Sequence, residues 1–182
     1  GQYILKAANP IDSVSSYAIE VKPGLPAPQI CMVTVDTALK CNKIIWEKNE
    51  SYPVKKYKVF QEIGKDLYVP IGEKLFSELS VFNDTFADPS KQSYSYKITA
   101  VDSTGKYESD ISECISHRTM HVVIVDKQGS SGTYLQWNAY DGFSFPSYTI
   151  YRKTSNKFDS LSTTAAGYFY NSFLDNYFGF NY

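Results

Sequence analysis

Net charge is nearly absent from this chain: 18 Lys and Arg against 19 Asp and Glu leave −1. It therefore offers no basic field for nucleic acid or anionic lipid. No apolar run approaches the roughly 20 residues that a membrane-spanning helix needs, so membrane insertion by this chain is not expected. No signal-peptide pattern opens it either, which leaves its location open. Cysteine is scarce. Cys31, Cys41 and Cys114 permit at most one internal bridge. Cys31 and Cys114 fall in the expected first and last strands of one unit, where a bridge is open to them; buried free thiols are the other reading. A Gly-x-Ser-x-Gly elbow, a phosphate-cradling glycine loop and a Cys/His pair suited to a nucleophile are all missing. No catalytic activity and no cofactor are expected. No stretch keeps a helical apolar period, which argues against helices.

Aromatics, by contrast, are abundant: 16% of the chain, with 16 Tyr and 11 Phe. Such side chains suit sandwich cores and contact surfaces alike. With 43% hydrophobic and 20% charged residues, 182 residues can bury a real core in one large domain or two small ones. Residues 43–102 organise the rest. Ile44 and Trp46, then Tyr57, then Tyr94, Tyr96, Ile98 and Ala100 alternate with polar neighbours, as the inward face of half-buried strands does. The frame recurs downstream. Tyr57 follows Trp46 by 11 residues and Asp84 follows 27 later; Tyr148 and Asp175 follow Trp137 at the same intervals. That repeat favours two units.

In chain order, strands are expected at 3–8 and 16–21, on either side of an Asn9-Pro10-Ile11-Asp12 turn. Residues 22–28, with three prolines, read as an extended linker. Further strands are expected at 30–36, 42–47, 57–62, 68–73, 80–84, 94–102 and 113–116. The second unit starts near Arg118, with strands at 121–125, 134–138 and 148–153, and one more between 167 and 173. Many short strands between turn signals predict an all-β chain of antiparallel sandwiches.

Ile44-x-Trp46, Tyr57 and Tyr94-x-Tyr96-x-Ile98-x-Ala100 resemble the core signature of fibronectin type III modules, on their second, third and sixth strands. Leu135-x-Trp137 and Tyr148-x-Ile150-x-Arg152 repeat its first half. The resemblance covers nearly the whole chain and makes 29–117 one such domain and 118–182 a second that lacks its last two strands. It implies that Tyr94 occupies the tyrosine-corner position, its hydroxyl bonding back to nearby backbone. Trp46-Glu47-Lys48 and Tyr148-Thr149-Ile150-Tyr151-Arg152-Lys153 are similar to the phrasing of tandem modules in secreted and surface proteins of bacteria. There the family implies an extracellular, cell-surface or periplasm-facing role without catalysis. That role is spacing, adhesion to a protein or glycan, or service as the accessory module of a carbohydrate-active enzyme whose catalytic domain lies outside.

Residues 2–21 belong to no complete unit. Tyr3-Ile4-Leu5-Lys6-Ala7-Ala8-Asn9 aligns with Tyr96-Lys97-Ile98-Thr99-Ala100-Val101-Asp102, and Tyr182 set before Gln2 extends the match. These residues are expected to supply the last two strands of a sandwich whose first five are 118–182. They would do so within the chain or by strand exchange with another copy. A cut from a longer array is the third arrangement, and it would leave open sheet edges.

Several side chains invite chemistry. His117 and His121 share one face if the strand continues between them, but no Cys or carboxylate completes a zinc set at matching spacing, so packing is the expected role. Asp84, Asp88 and Asp102 could serve as acid/base groups or calcium ligands. Beside Thr85, Pro89 and Ser103 they read instead as turn formers. The contact candidates are Tyr140, Phe143 and Phe145, three aromatics in one six-residue loop. Tyr168-Phe169-Tyr170 and Phe178-Gly179-Phe180 add to them, and Tyr52 is a weaker candidate in the equivalent loop of the first unit. These aromatics either cap the core or form a protein or glycan contact patch. Four tripeptides, beginning at Asp12, Asp36, Asp102 and Asp159, resemble an Asp-Ser/Thr O-glycosylation motif of exported bacterial proteins. Asn49-Glu50-Ser51 and Asn83-Asp84-Thr85 are N-glycosylation sequons.

Overall fold

A computed structural model describes residues 2–20, 24–125, 132–155, 157–166 and 170–175. Every regular element in them is a β-strand except one 3-10 turn, Ile111–Glu113. The chain begins with an irregular hairpin: β1 (Gln2–Tyr3), β2 (Lys6–Ala8), β3 (Ser13–Ser15) and β4 (Ile19–Glu20). β1 pairs with β4 and β2 with β3.

The first unit contains β5 (Ile30–Asp36), β6 (Cys41–Trp46), β7 (Val54–Gly64), β8 (Leu67–Leu75), β9 (Val81–Asp84), β10 (Ser95–Asp102) and β11 (His117–Arg118). Its two antiparallel sheets have the orders β5-β6-β9 and β11-β10-β7-β8. Alternation puts Ile44 and Trp46 of β6 inward, against Tyr57 and Val59 of β7 and Tyr96, Ile98 and Ala100 of β10. Each of the large side chains among these contributes about 2 kcal/mol by leaving water. Trp46 meets Tyr57 edge-on at 5.5 Å between ring centroids. Gly72 on β8 leaves room for the Phe82 ring, which a Cβ there would approach to 2.3 Å.

The second unit contains β12 (Val122–Val125), β13 (Thr133–Asn138), β14 (Ser147–Thr154), β15 (Lys157–Ala165) and β16 (Tyr170–Asp175). Its sheets are β12-β13-β16 and β14-β15. The repeat is physical as well as textual. Trp137 meets Tyr148 edge-on at 5.6 Å. Asp175 lies opposite Thr133 as Asp84 lies opposite Asn42.

Four expectations need correction. The N-terminal strands are broken rather than continuous: Leu5 leaves the ladder because its N–H bonds the Ser16 hydroxyl at 2.9 Å. The strand expected at 113–116 is replaced by the 3-10 turn, capped by the Asp110 carboxylate on Ser112 N–H, and β11 follows it. The linker is not free throughout, since Leu25 and Ala27 pack against the first core. β15 was not anticipated, because its Ser- and Thr-rich sequence reads as loop while its pairing with β14 makes it a strand. The expected strand at 167–173 starts outside the described residues, and β16 extends to Asp175.

The cysteines are free. A register shift between Ile30 and Met32 turns Ile30 and Val33 to the core and leaves Cys31 exposed. Cys114 is buried, and its sulfur accepts the Ile98 N–H. The hairpin of residues 2–20 pairs with itself and, among the described residues, with no strand of the second unit, so closure within the chain is not what the structure displays.

Candidate contact site at the junction of the two units

The candidate site forms where β11 runs into the second unit. Thr119 straps the crossing in place: its N–H donates to the Tyr94 carbonyl (2.9 Å) and its hydroxyl accepts the Tyr94 N–H (2.8 Å). The loop between β13 and β14 then returns to the crossing, and Arg118 and Asp141 exchange two backbone hydrogen bonds. Asn138 holds the connection from inside. Its amide donates to the Thr119 carbonyl, and its oxygen accepts the His121 N–H at 2.7 Å.

These constraints carry Tyr140 into the first unit. Its hydroxyl accepts the Val33 N–H (2.9 Å) and lies 2.9 Å from His117 Nδ1. Burial pushes the His117 imidazole below its usual pKa, with the Asp141 carboxylate opposing. With its oxygen accepting the Val33 N–H, the Tyr140 hydroxyl donates to His117 Nδ1 when the neutral ring carries its proton on Nε2. Burial likewise raises the Tyr140 hydroxyl, which stays protonated. Gly142 permits the approach: φ there is +133°, and a Cβ would sit 2.4 Å from the His117 ring. Around this pair the loop aromatics cluster. Ring centroids lie 4.7 Å apart for Tyr140 and Phe143, 6.0 Å for Phe143 and Phe145, and 4.8 Å for Phe145 and Tyr148. They border an open cleft of about 740 Å3, lined also by Ile115, Arg118 and Ala166.

The three contact candidates therefore come together, but with different exposures. Tyr140 and Phe145 are half-buried and tied into the junction, while Phe143 keeps 50% of its surface. Tyr52 is exposed in the loop before β7, at the far end of the first unit. Residues 168–169 and 178–180 lie outside the described residues, as does the Tyr170 side chain. Trp46 and Trp137 are core residues. The two histidines do not converge: His117 bonds Tyr140, and His121 Nε2 meets the Ser90 carbonyl at 3.0 Å. Among the described residues no group of three His, Cys, Asp or Glu could hold a metal.

The aspartates act on the backbone and on buried polar groups. Asp88 accepts from Ser90, and Asp102 takes the N–H groups of Thr104, Lys106 and Tyr107. Hydrogen bonds, that from Thr104 foremost, hold the Asp102 carboxyl down to about 2. Asp84 is buried and accepts from Tyr96 Oη (2.9 Å) and Gln61 Nε2 (3.0 Å), besides the Phe86 and Ala87 N–H groups. Its repeat partner Asp175 is held by Arg152 at 2.9 Å. Gln61 follows Tyr57 by four residues and Arg152 follows Tyr148 by four. Extending the 11-residue repeat by that step would have exposed the pair in the sequence. No comparable signal marks Val33, whose role is a backbone N–H. The tripeptide at Asp12 begins in the loop of the N-terminal hairpin, those at Asp36 and Asp102 begin on the last residues of β5 and β10 and run into turns, and Asp159 lies on β15.

No protein-family model matches the chain, and no curated protein is significantly similar to it.

Proposed function

We propose that the chain is a pair of fibronectin type III-like modules serving as a non-catalytic spacer and adhesion element of a larger extracellular or cell-surface protein. The observation that carries this is the junction: the Tyr140 hydroxyl bridges Val33 and His117 across the two units, and the Thr119 strap holds the crossing. Such a joint suits a part that sets distance and angle. The layout of the first unit, three strands facing four, supports the module reading. So does Tyr94, whose hydroxyl accepts the Asp88 N–H six residues upstream, as a tyrosine corner requires.

Small-angle scattering tests the spacer role. A fixed angle between the units gives one extended envelope for the native chain, and Tyr140→Phe broadens it. A native chain already flexing freely at the joint contradicts the proposal.

A second reading draws on the cleft and the exposed Phe143 ring: a glycan contact, as in the accessory module of a carbohydrate-active enzyme. Phe143→Ala is the clean probe, because Tyr140→Ala would also open the junction. Glycan-array binding lost in Phe143→Ala with folding intact supports it. Binding that is absent, or unchanged in the variant, sinks it.

A further inference from the structure

The two Asn-x-Ser/Thr sequons of the sequence stand in opposite structural settings. Asn83 lies inside β9, where it pairs with Lys43 of β6, and its side-chain oxygen is buried. The next residue, Asp84, is 2% exposed and accepts from Tyr96 and Gln61. Presenting Asn83 and Thr85 together to an enzyme requires β9 to leave its sheet and Asp84 to give up those bonds. The fold closes this sequon.

Asn49 is placed otherwise. It stands in the loop between β6 and β7, and Asn49, Glu50 and Ser51 are all exposed. The loop is anchored on both sides. The Glu47 N–H donates to the Gln29 carbonyl at 3.1 Å, and the Pro53 carbonyl accepts the Ser103 N–H at 2.6 Å. Between these anchors the Asn49 carboxamide oxygen accepts the Ser51 N–H at 3.0 Å, which closes an Asx turn. That turn serves chemistry at the amide in two ways. It occupies Oδ1, so Nδ2 is the atom of the group left to react. It also folds Ser51 back beside Asn49, so that one enzyme surface can meet both side chains. Glu50 fits the middle position, which excludes only proline.

We propose that Asn49 is an acceptor for an N-linked glycan, and that Asn83 is closed to the same transfer in the folded chain. The inference rests on the extracellular reading, because such glycans are added to exported chains. In the transfer, Asn49 Nδ2 attacks the anomeric carbon of an oligosaccharide carried on a lipid diphosphate. The bond from Nδ2 to that carbon forms, and the bond from the carbon to the diphosphate oxygen breaks. The lipid diphosphate leaves with the electron pair, and Nδ2 gives up one proton to a carboxylate of the transferase. The glycan then stands at the end of the first unit where Trp46 meets Ile30, away from the crossing at Arg118. The Tyr140 bridge and the Phe143 cleft stay clear of it.

Transfer in vitro reads this directly. The folded full chain is incubated with a single-subunit oligosaccharyltransferase and an oligosaccharide on a lipid diphosphate, and its intact mass is followed. The chain is expected to gain the mass of one oligosaccharide, carried by the peptide that contains Asn49. Asn49→Gln and Ser51→Ala lose the gain, Ser51→Thr keeps it, and Asn83→Gln leaves it unchanged. These loop positions are exposed, so thermal unfolding of Asn49→Gln and Ser51→Ala should match that of the native chain. A synthetic peptide of residues 45–53 shows that the transferase is active on this sequon. A folded chain that gains nothing overturns the proposal, whether or not the peptide is modified. So does a gain that persists in Asn49→Gln. Neither result touches the extracellular module reading, since the purified chain is modified without regard to where it resides and scattering tests the modules separately.

Discussion

Asp84 and Asp175 occupy the same place in the two units, and each carboxylate is satisfied differently. Asp84 takes neutral partners, with Tyr96 also accepting from Asn42 Nδ2 at 2.9 Å; Asp175 takes the Arg152 guanidinium. Burial raises the Tyr96 hydroxyl, so it remains a donor at any ordinary pH. Tyr96→Phe is expected to cost about 2 kcal/mol in chemical denaturation, because it removes one donor from a buried carboxylate and the acceptor of Asn42. Gly142→Ala is expected to cost about 2 kcal/mol or more, from positive φ and from the collision with His117. Combined with His117→Ala it should cost less than the sum, since the clash is then relieved; strict additivity would contradict the packing.

His117 also sets a pH dependence. Its folded pKa lies below its unfolded value of about 6.5, so the unfolded chain binds the proton more readily. The contribution is complete above that value and is lost as pH falls through the folded pKa. The thermal midpoint of the junction should therefore drop on acidification from neutral, and His117→Gln should flatten that drop. An unchanged pH profile in His117→Gln would remove His117 from the account.

At the scale of elements, strands with regular alternation were legible. β6, β10 and β13 follow from Ile44, Trp46, Tyr96, Ile98 and Trp137, because a two-residue period has one meaning when a core lies on one side. Strands held by pairing rather than burial were not. β15 buries little of its own and owes its form to β14. β5 was placed correctly, but its bulge was not, so the exposure of Cys31 was unforeseen. The contact loop was singled out by its aromatics. That Tyr140 faces the first unit depends on Val33, a main-chain partner 107 residues away that no pattern announces. The repeated carboxylate pair yields a test on β14. Arg152→Gln, which copies the first unit's Gln61, should be tolerated better than Arg152→Ala in thermal unfolding. Equal losses would mean that Asp175 needs charge rather than a donor.

In the whole molecule a strapped crossing joins two β units that repeat one Trp-Tyr-Asp frame, and among the described residues β12 and β14 keep more of their surface exposed than β5 and β7. Stability should divide accordingly, since opening is easiest where apolar contacts are fewest. Hydrogen exchange on the full chain measures this most directly. The account predicts slow exchange through β6, β7 and β10, intermediate exchange in β13, and fast exchange in β12 and along β14. Exchange in β12 and β14 as slow as in β5 and β7 would contradict it, because strands that bury so little of their apolar surface should open first.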